Sequence, residues 1–138
     1  MRVLLDTNVI VDVALERQPY FGDSETVLSL VEQRQIEGYI SASTFSDLYY
    51  IIRKDKGRNL TLEFLREIST FCQIATVNQD AINMALAANF KDFEDAIQYS
   101  SAVVNNLDAI VTRNPQDFPV ATPRILTMQQ LIQELTNY

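Results

Sequence analysis

The chain has 138 residues, of which 47% are hydrophobic, and it carries 11 Lys and Arg against 18 Asp and Glu, for a formal net charge of −7. This length and composition predict one globular domain spanning residues 1–138. Because the sequence contains no histidine, it excludes Ser-His-Asp and Cys-His catalytic sites and zinc sites of the Cys/His type. The single cysteine, Cys72, cannot form an internal disulfide, and we expect a buried thiol in a reducing compartment, with the cytoplasm as the default.

Two classes of partner are also restricted by composition. No apolar segment approaches the ~18 residues of a membrane helix, so we expect no membrane-spanning segment. The acidic balance argues against unspecific binding to nucleic acid, because contacts with phosphates need Lys and Arg. A nucleic acid partner would therefore require something that offsets the carboxylates.

Short strand patterns alternate with helical patterns along the chain. The first strand pattern covers residues 3–5 and ends at Asp6, and a helix follows it directly. Further strand patterns lie at 38–41, 72–77, 108–112 and 124–126, and helical patterns at 24–34, 45–57, 60–70, 80–88, 92–103 and after 126. This alternation predicts a central parallel sheet with helices on both faces, which is a three-layer α/β/α fold.

Polar side chains follow several of these strands. In an open parallel sheet, ligands bind beyond the carboxyl ends of the strands. The polar residues placed near that edge by the sequence are Asp6, Asp47, Thr112, Arg113, Asn114 and Asp117. Neighbouring carboxylates repel one another unless a cation lies among them, and an all-oxygen ligand set suits Mg²⁺ or Mn²⁺. The pattern predicts a divalent-metal site that acts on phosphoesters.

Three segments, in this order, resemble the PIN-domain ribonuclease family. They are Leu4-Leu5-Asp6-Thr7-Asn8, Asp92-Phe93-Glu94-Asp95-Ala96 and Val111-Thr112-Arg113-Asn114-Pro115-Gln116-Asp117-Phe118. The resemblance covers essentially the whole chain, and it is strongest to the small single-domain prokaryotic members, which include toxins of VapBC-type toxin-antitoxin pairs. It implies a PIN-like fold, a metal-dependent endoribonuclease that cleaves RNA, a protein antitoxin as partner and a homodimer.

The resemblance also implies roles for individual residues. Asp6, Asp95 and Asp117 match metal-binding acids of the family. The second acid of the family is usually Glu, and Asp47 is the best match here, although its side chain is one methylene shorter. The residues expected to orient the metal ligands or water are Thr7, Asn8, Asn114 and Glu94.

Each of these residues also has an ordinary structural explanation. Asp6 could cap the helix that follows it, Asp95 suits the first turn of a helix, and Asp117 suits a turn. Arg113, with Thr112 beside it, suits a substrate phosphate because the guanidinium is a fork of donors, and it equally suits an ion pair with a neighbouring acid.

The central region of the chain has two further open interpretations. The basic run from Arg53 to Arg58 is equally consistent with the polar end of a helix and with an RNA contact. Most of the aromatic residues fall on helical stripes, so they are more typical of a core or interface than of base stacking. These aromatic residues are Tyr49, Tyr50, Phe90, Phe93 and Phe118.

Two other functions stay open from the sequence. One is a phosphatase or phosphoacceptor domain in which Asp6 is a covalent nucleophile. Asn8 stands where dehalogenase-like phosphatases carry a second Asp, and Arg113 stands where receiver-like domains carry a Lys. The other is a non-catalytic PIN-like module that binds RNA or protein, because the shorter Asp47 would weaken the metal site.

Overall fold

A five-stranded parallel sheet forms the centre of the protein, with the strand order β3-β2-β1-β4-β5. The strands are β1 (Arg2–Leu5), β2 (Glu37–Ser41), β3 (Gln73–Ala75), β4 (Ala109–Val111) and β5 (Arg124–Leu126). The computed structural model describes residues 1–136, so residues 137–138 of the predicted domain lie outside the described part. The predicted parallel α/β/α architecture is confirmed.

Over residues 1–136, six α-helices cover the two faces of the sheet. They are α1 (Thr7–Ala14), α2 (Phe21–Glu32), α3 (Ala42–Ile68), α4 (Gln79–Ala88), α5 (Phe93–Val104) and α6 (Met128–Thr136), with a short 3-10 turn at Pro115–Asp117. Each strand and helix predicted from the sequence is present, with ends that differ by a few residues. Over residues 1–136, none of the helices is both long and apolar enough to cross a bilayer.

Helix α3 differs most from its prediction, because it joins two helical segments at Gly57. The backbone of Gly57 has φ 78° and ψ 168°, a conformation that favours glycine. The Thr61 hydroxyl donates to the Gly57 carbonyl at 2.7 Å, and the chain resumes its helical path at once. The first segment therefore ends where the sequence predicts, without a separate loop.

Strand β1 lies in the middle of the sheet and is buried on both sides. Val3 and Leu5 face one apolar layer, and Leu4 faces the other, because successive side chains of a strand alternate in direction. Cys72 is buried as predicted, and burial raises the pKa of its thiol to about 12. Two covered faces leave the carboxyl end of β1 as the place where a polar side chain can emerge, and Asp6 stands there.

Candidate metal centre

The site is built where β1 and β4 lie side by side at the centre of the sheet. The backbone N–H of Asp6 donates to the carbonyl of Val111 at 3.0 Å, so the register of the two strands fixes the position of Asp6. The connection after β1 leads to β2 on one side, and β4 lies on the other side. Such a reversal of strand order opens a crevice beyond the carboxyl ends of the strands.

Asp6 is nearly inaccessible, with 4% of its surface exposed. One carboxylate oxygen accepts a hydrogen bond from the Gln98 side-chain amide at 3.0 Å, and the other accepts one from the Thr112 hydroxyl at 2.7 Å. Although Asp6 stands at the N-cap position of α1, its side chain makes no capping hydrogen bond. The simple helix-cap explanation of Asp6 is therefore wrong.

Gln98 is a site residue that the sequence patterns did not predict. It is completely buried on α5, where its amide oxygen accepts from the backbone N–H of Thr7 at 3.2 Å while its amide nitrogen donates to Asp6. One side chain thus fixes two consecutive residues of the site. The signal that could have found it was its spacing, since a residue three positions after Asp95 lies on the same helical face.

Thr7 connects Asp6 to a second acid, Glu94. The Thr7 hydroxyl donates to a carboxylate oxygen of Glu94 at 2.8 Å, and its oxygen lies 3.3 Å from the hydroxyl oxygen of Thr44. A threonine hydroxyl carries one hydrogen, so Thr44 is the donor in the second bond. This bond directs the Glu94 carboxylate toward Thr7, where it lies near Asp6 and Asp47.

Asp95 is the acid whose ionisation is most strongly affected by its surroundings. Burial, followed by repulsion from four nearby carboxylates, raises the pKa of Asp95 to about 7. These carboxylates belong to Asp6, Asp92, Asp117 and Glu94. The structure therefore brings acids from the end of β1, from the start of α5 and from the loop after β4 into one electrostatic cluster. The Asp92 side chain also caps α5, as predicted, by accepting from the backbone N–H of Asp95 at 3.0 Å.

Burial raises the pKa of Asp6 and of Glu94 as well. For Asp6, the bonds from Thr112 and Gln98 partly oppose the effect of burial. For Glu94, the Thr7 hydroxyl opposes it, and repulsion from Asp47 adds to it. Asp47 is partly buried on α3, and it reaches the cluster beside Glu94. The acid cluster thus has six members, and Asp47 is the peripheral one.

In the described part of the chain, the acid cluster has no basic partner in an ion pair. In the side-chain conformations of this part of the chain, no three acids converge closely enough to hold a metal ion. The donor set is nevertheless all oxygen, and its charge is uncompensated, which is the chemistry that fits Mg²⁺ or Mn²⁺.

The loop after β4 supplies the other side of the site. Thr112 is completely buried, and its oxygen also accepts from the backbone N–H of Asn114 at 3.0 Å, so in this conformation Thr112 holds Asp6 and the loop. Asn114 precedes the 3-10 turn that ends at Asp117, which is exposed. Asn8 lies partly exposed in the first turn of α1.

Arg113 forms an ion pair with an acid, which is the structural alternative to a contact with a substrate phosphate. Its guanidinium lies 3.3 Å from a carboxylate oxygen of Asp12, which is completely buried, and 4.1 Å from the centre of the Tyr20 ring. These contacts tie the loop after β4 to the end of α1. Its contact with a substrate phosphate stays a prediction.

A cleft of about 440 Å³ adjoins the acid cluster. Asp95 and Asp117 line one part of it, and Lys91, Gln116 and Phe90 line others. Lys91 is exposed, and it forms no ion pair within the described part of the chain. The cleft therefore places a cation next to the acids without neutralising them.

The geometry disfavours Asp6 as a covalent nucleophile. An attacking carboxylate must reach a phosphorus atom with a free oxygen. Both oxygens of Asp6 accept hydrogen bonds, and the side chain is buried. This arrangement suits an acid that is held in place for ligation.

Comparison with known proteins decides the family. A family model described as the PIN domain matches residues 2–116. The chain belongs to the PIN domain family. The match includes Asp6, Glu94 and Asp95 and ends one residue before Asp117. Ribonuclease VapC1 of Aquifex aeolicus (strain VF5) is 25% identical over 135 residues, which cover 94% of this chain and 92% of that protein.

Solved structures share the fold of this PIN domain. A toxin-antitoxin complex from Klebsiella pneumoniae matches with a TM-score of 0.69 and 22% identity, over 91% of this chain and 97% of that chain. VapC20 of Mycobacterium tuberculosis, a Sarcin-Ricin loop cleaving toxin, matches with a TM-score of 0.63 and 11% identity. The match covers 78% of this chain and 86% of that chain. At these identities the likeness establishes the PIN-like α/β/α fold.

Replacement of Gln98 by methionine tests how the PIN domain holds Asp6. Q98M leaves a buried carboxylate oxygen and the Thr7 N–H without their partner. We expect the free energy of unfolding to fall by about 1–3 kcal/mol in urea denaturation of the metal-free protein. The exposed Gln133 of α6 provides the matched control, Q133M. A Q98M protein as stable as the control would contradict this role of Gln98.

The raised pKa of Asp95 predicts a pH dependence of stability in the metal-free protein. Because the pKa is about 7 in the folded state and about 4 in the unfolded chain, the folded state binds the extra proton between these values. The contribution of Asp95 therefore becomes less favourable as the pH rises from 4 to 7. We expect D95N to be more stable than wild type at pH 8, with an advantage that shrinks toward pH 5 in urea denaturation. An advantage that is constant over this range would contradict the prediction.

Proposed function

We propose that this PIN domain is a divalent-metal-dependent endoribonuclease that hydrolyses phosphodiester bonds of RNA. The observation that carries the proposal is the acid cluster at the carboxyl end of the sheet, whose charge no Lys or Arg of residues 1–136 neutralises by an ion pair. The relative named Ribonuclease VapC1 supports both the nuclease class and RNA as the substrate. The structurally similar VapC20, a toxin that cleaves the Sarcin-Ricin loop, supports cleavage within a chain.

Mg²⁺ or Mn²⁺ fits the site because every donor is a hard oxygen. Asp6, Asp95 and Asp117 would hold the ion, and Asp47, being short and peripheral, would act through water. Asp117 is exposed and has room to rotate toward the others. When bound, such an ion lowers the pKa of a water molecule and neutralises charge on the phosphate.

The surrounding polar residues keep the site in order. Gln98 and Thr112 hold the carboxylate of Asp6, and Thr7 holds Glu94. Asn8 and Asn114 would orient ligands or water at the rim. Lys91, in the adjoining cleft, and Arg113, on the loop that carries Asp117, would contact the substrate phosphate.

We also propose partners and a compartment for the protein. The toxin-antitoxin complex from Klebsiella pneumoniae supports a cognate antitoxin, which makes this chain the toxin of such a pair. A second copy of the chain is proposed as a further partner in a homodimer. RNA as substrate, together with the buried free thiol of Cys72, suits the cytoplasm.

Replacement of Asp6 by asparagine tests the proposed activity. With saturating Mn²⁺ and a mixed RNA pool, we expect D6N to lose cleavage by more than about 100-fold, since even groups that only support a metal ligand are worth 10- to 100-fold. The metal-free D6N protein should melt at or above the temperature of wild type, because a buried charge is removed. The matched control is D80N, at an exposed acid of α4 outside the site, which should cleave like wild type.

Two results would contradict the proposal. Wild-type protein that retains RNA or protein binding and cleaves none of the pool would indicate the non-catalytic module. Cleavage that survives in D6N would show that the acid cluster is not the catalytic site.

A further inference from the structure

The middle of α3 carries a concentration of positive charge that the nuclease site does not use. We call residues 53–60 the basic arm. All eight are exposed, and they include Arg53, Lys54, Lys56 and Arg58 with a single acid, Asp55. The arm therefore has a net charge of +3, while the other 130 residues carry −10. Within residues 1–136, none of the four cations forms an ion pair.

An exposed aromatic group adjoins the basic arm. The rings of Tyr49 and Tyr50 meet edge to face with centres 5.1 Å apart, and the Arg53 guanidinium lies 5.8 Å and 5.5 Å from the two centres. Tyr50 is 56% exposed, so it belongs to no buried core. An exposed ring beside an Arg is the combination that stacks on the bases of single-stranded nucleic acid.

This group continues directly from the acid cluster. Asp47, Tyr50 and Lys54 are spaced i, i+3 and i+7 along α3, which places them on one helical face. From Asp47 to Lys56 the helix rises about 14 Å, since each residue adds about 1.5 Å. At about 3.4 Å per stacked nucleotide, this length matches roughly four nucleotides.

We propose that the exposed segment of α3 from Tyr50 to Arg58 is a binding track for a single-stranded segment of the RNA substrate next to the cleaved bond. The inference rests on the proposed ribonuclease function and extends it to the substrate. Lys54, Lys56 and Arg58 contact phosphates, and Tyr50 stacks on a base. A single strand is required because a base in a duplex does not offer its face for stacking. Charge complementarity favours RNA, since the arm carries +3 while the other 130 residues carry a net charge of −10.

The test measures binding of a fluorescein-labelled, randomised 12-nucleotide RNA by anisotropy, in EDTA so that no cleavage occurs. The variant is K54Q/K56Q, and the control R34Q/R66Q removes the same charge from two exposed arginines outside the arm. We expect K54Q/K56Q to raise the Kd about tenfold and to reduce the slope of log K against log salt by about 1.4, or about 0.7 for each lost phosphate contact. Y50A should raise the Kd about fivefold or more without changing this slope.

Cleavage in Mn²⁺ gives a second measurement. We expect K54Q/K56Q to raise KM for the 12-nucleotide RNA while kcat stays at the wild-type value, because the arm lies away from the acids. A trinucleotide, too short to reach the arm, should be cleaved equally by the variant and by wild type. A lower kcat with unchanged KM would contradict a binding track.

Failure of the inference and failure of the proposed function give different results. Wild type that cleaves RNA, with K54Q/K56Q binding no worse than R34Q/R66Q, would overturn the track alone. The track would also be overturned if wild type bound duplex RNA as tightly as the single strand or more tightly. A third contrary result would be that K54Q/K56Q and Y50A keep their affinity for RNA and lose binding to a purified antitoxin encoded beside this gene. Wild type that never cleaves but binds RNA through the arm would refute the nuclease and leave the track supported.

Discussion

The buried carboxylate of Asp6 is the constraint on which the whole site depends. Burying a carboxylate is costly unless its oxygens are satisfied. Here neutral groups from two other elements satisfy them, the amide of Gln98 on α5 and the hydroxyl of Thr112 after β4. Because neither partner carries a charge, the negative charge of Asp6 is held in place without being cancelled. The same bonds tie β1, α5 and β4 together around the crevice.

The surroundings of the remaining acids destabilise their ionised forms. Asp95 and Glu94 lie where burial and neighbouring carboxylates disfavour their charged forms. A cation bound among them would convert this repulsion into attraction, which is the physical basis of the proposed metal site. Within residues 1–136, the four cations of the basic arm on α3 form no ion pair with these acids, so they do not neutralise the acid cluster.

Much of this arrangement could be predicted from the sequence, and the limits have physical causes. Strand and helix patterns differ in period, so the order of elements was predictable, and Asp6 was placed correctly because it directly follows β1. The position of Asp95 depends on how α5 packs on the sheet, which no local pattern encodes; the family resemblance supplied it. Gln98 is a polar residue at a buried helical position, and its role becomes visible only when α5 lies against Asp6.

Other features depend on contacts between distant parts of the chain. The ion pair of Arg113 with Asp12 joins residues about a hundred positions apart. The exposure of Tyr50 depends on which face of α3 packs on the domain, although its helical spacing suggested a core or interface. In the sequence, Gly57 predicts the end of a helix. In the structure, its backbone adopts a positive φ and a second helical segment follows directly.

Titration of Mn²⁺ by isothermal calorimetry tests the central claim most directly, namely that acids from separate elements bind one cation together. The proteins to compare are wild type, D6N, D95N, D117N and the surface control D80N. We expect wild type and D80N to bind Mn²⁺ with equal affinity and each of the three site variants to bind at least about tenfold more weakly. Undiminished affinity in the three site variants would contradict the claim.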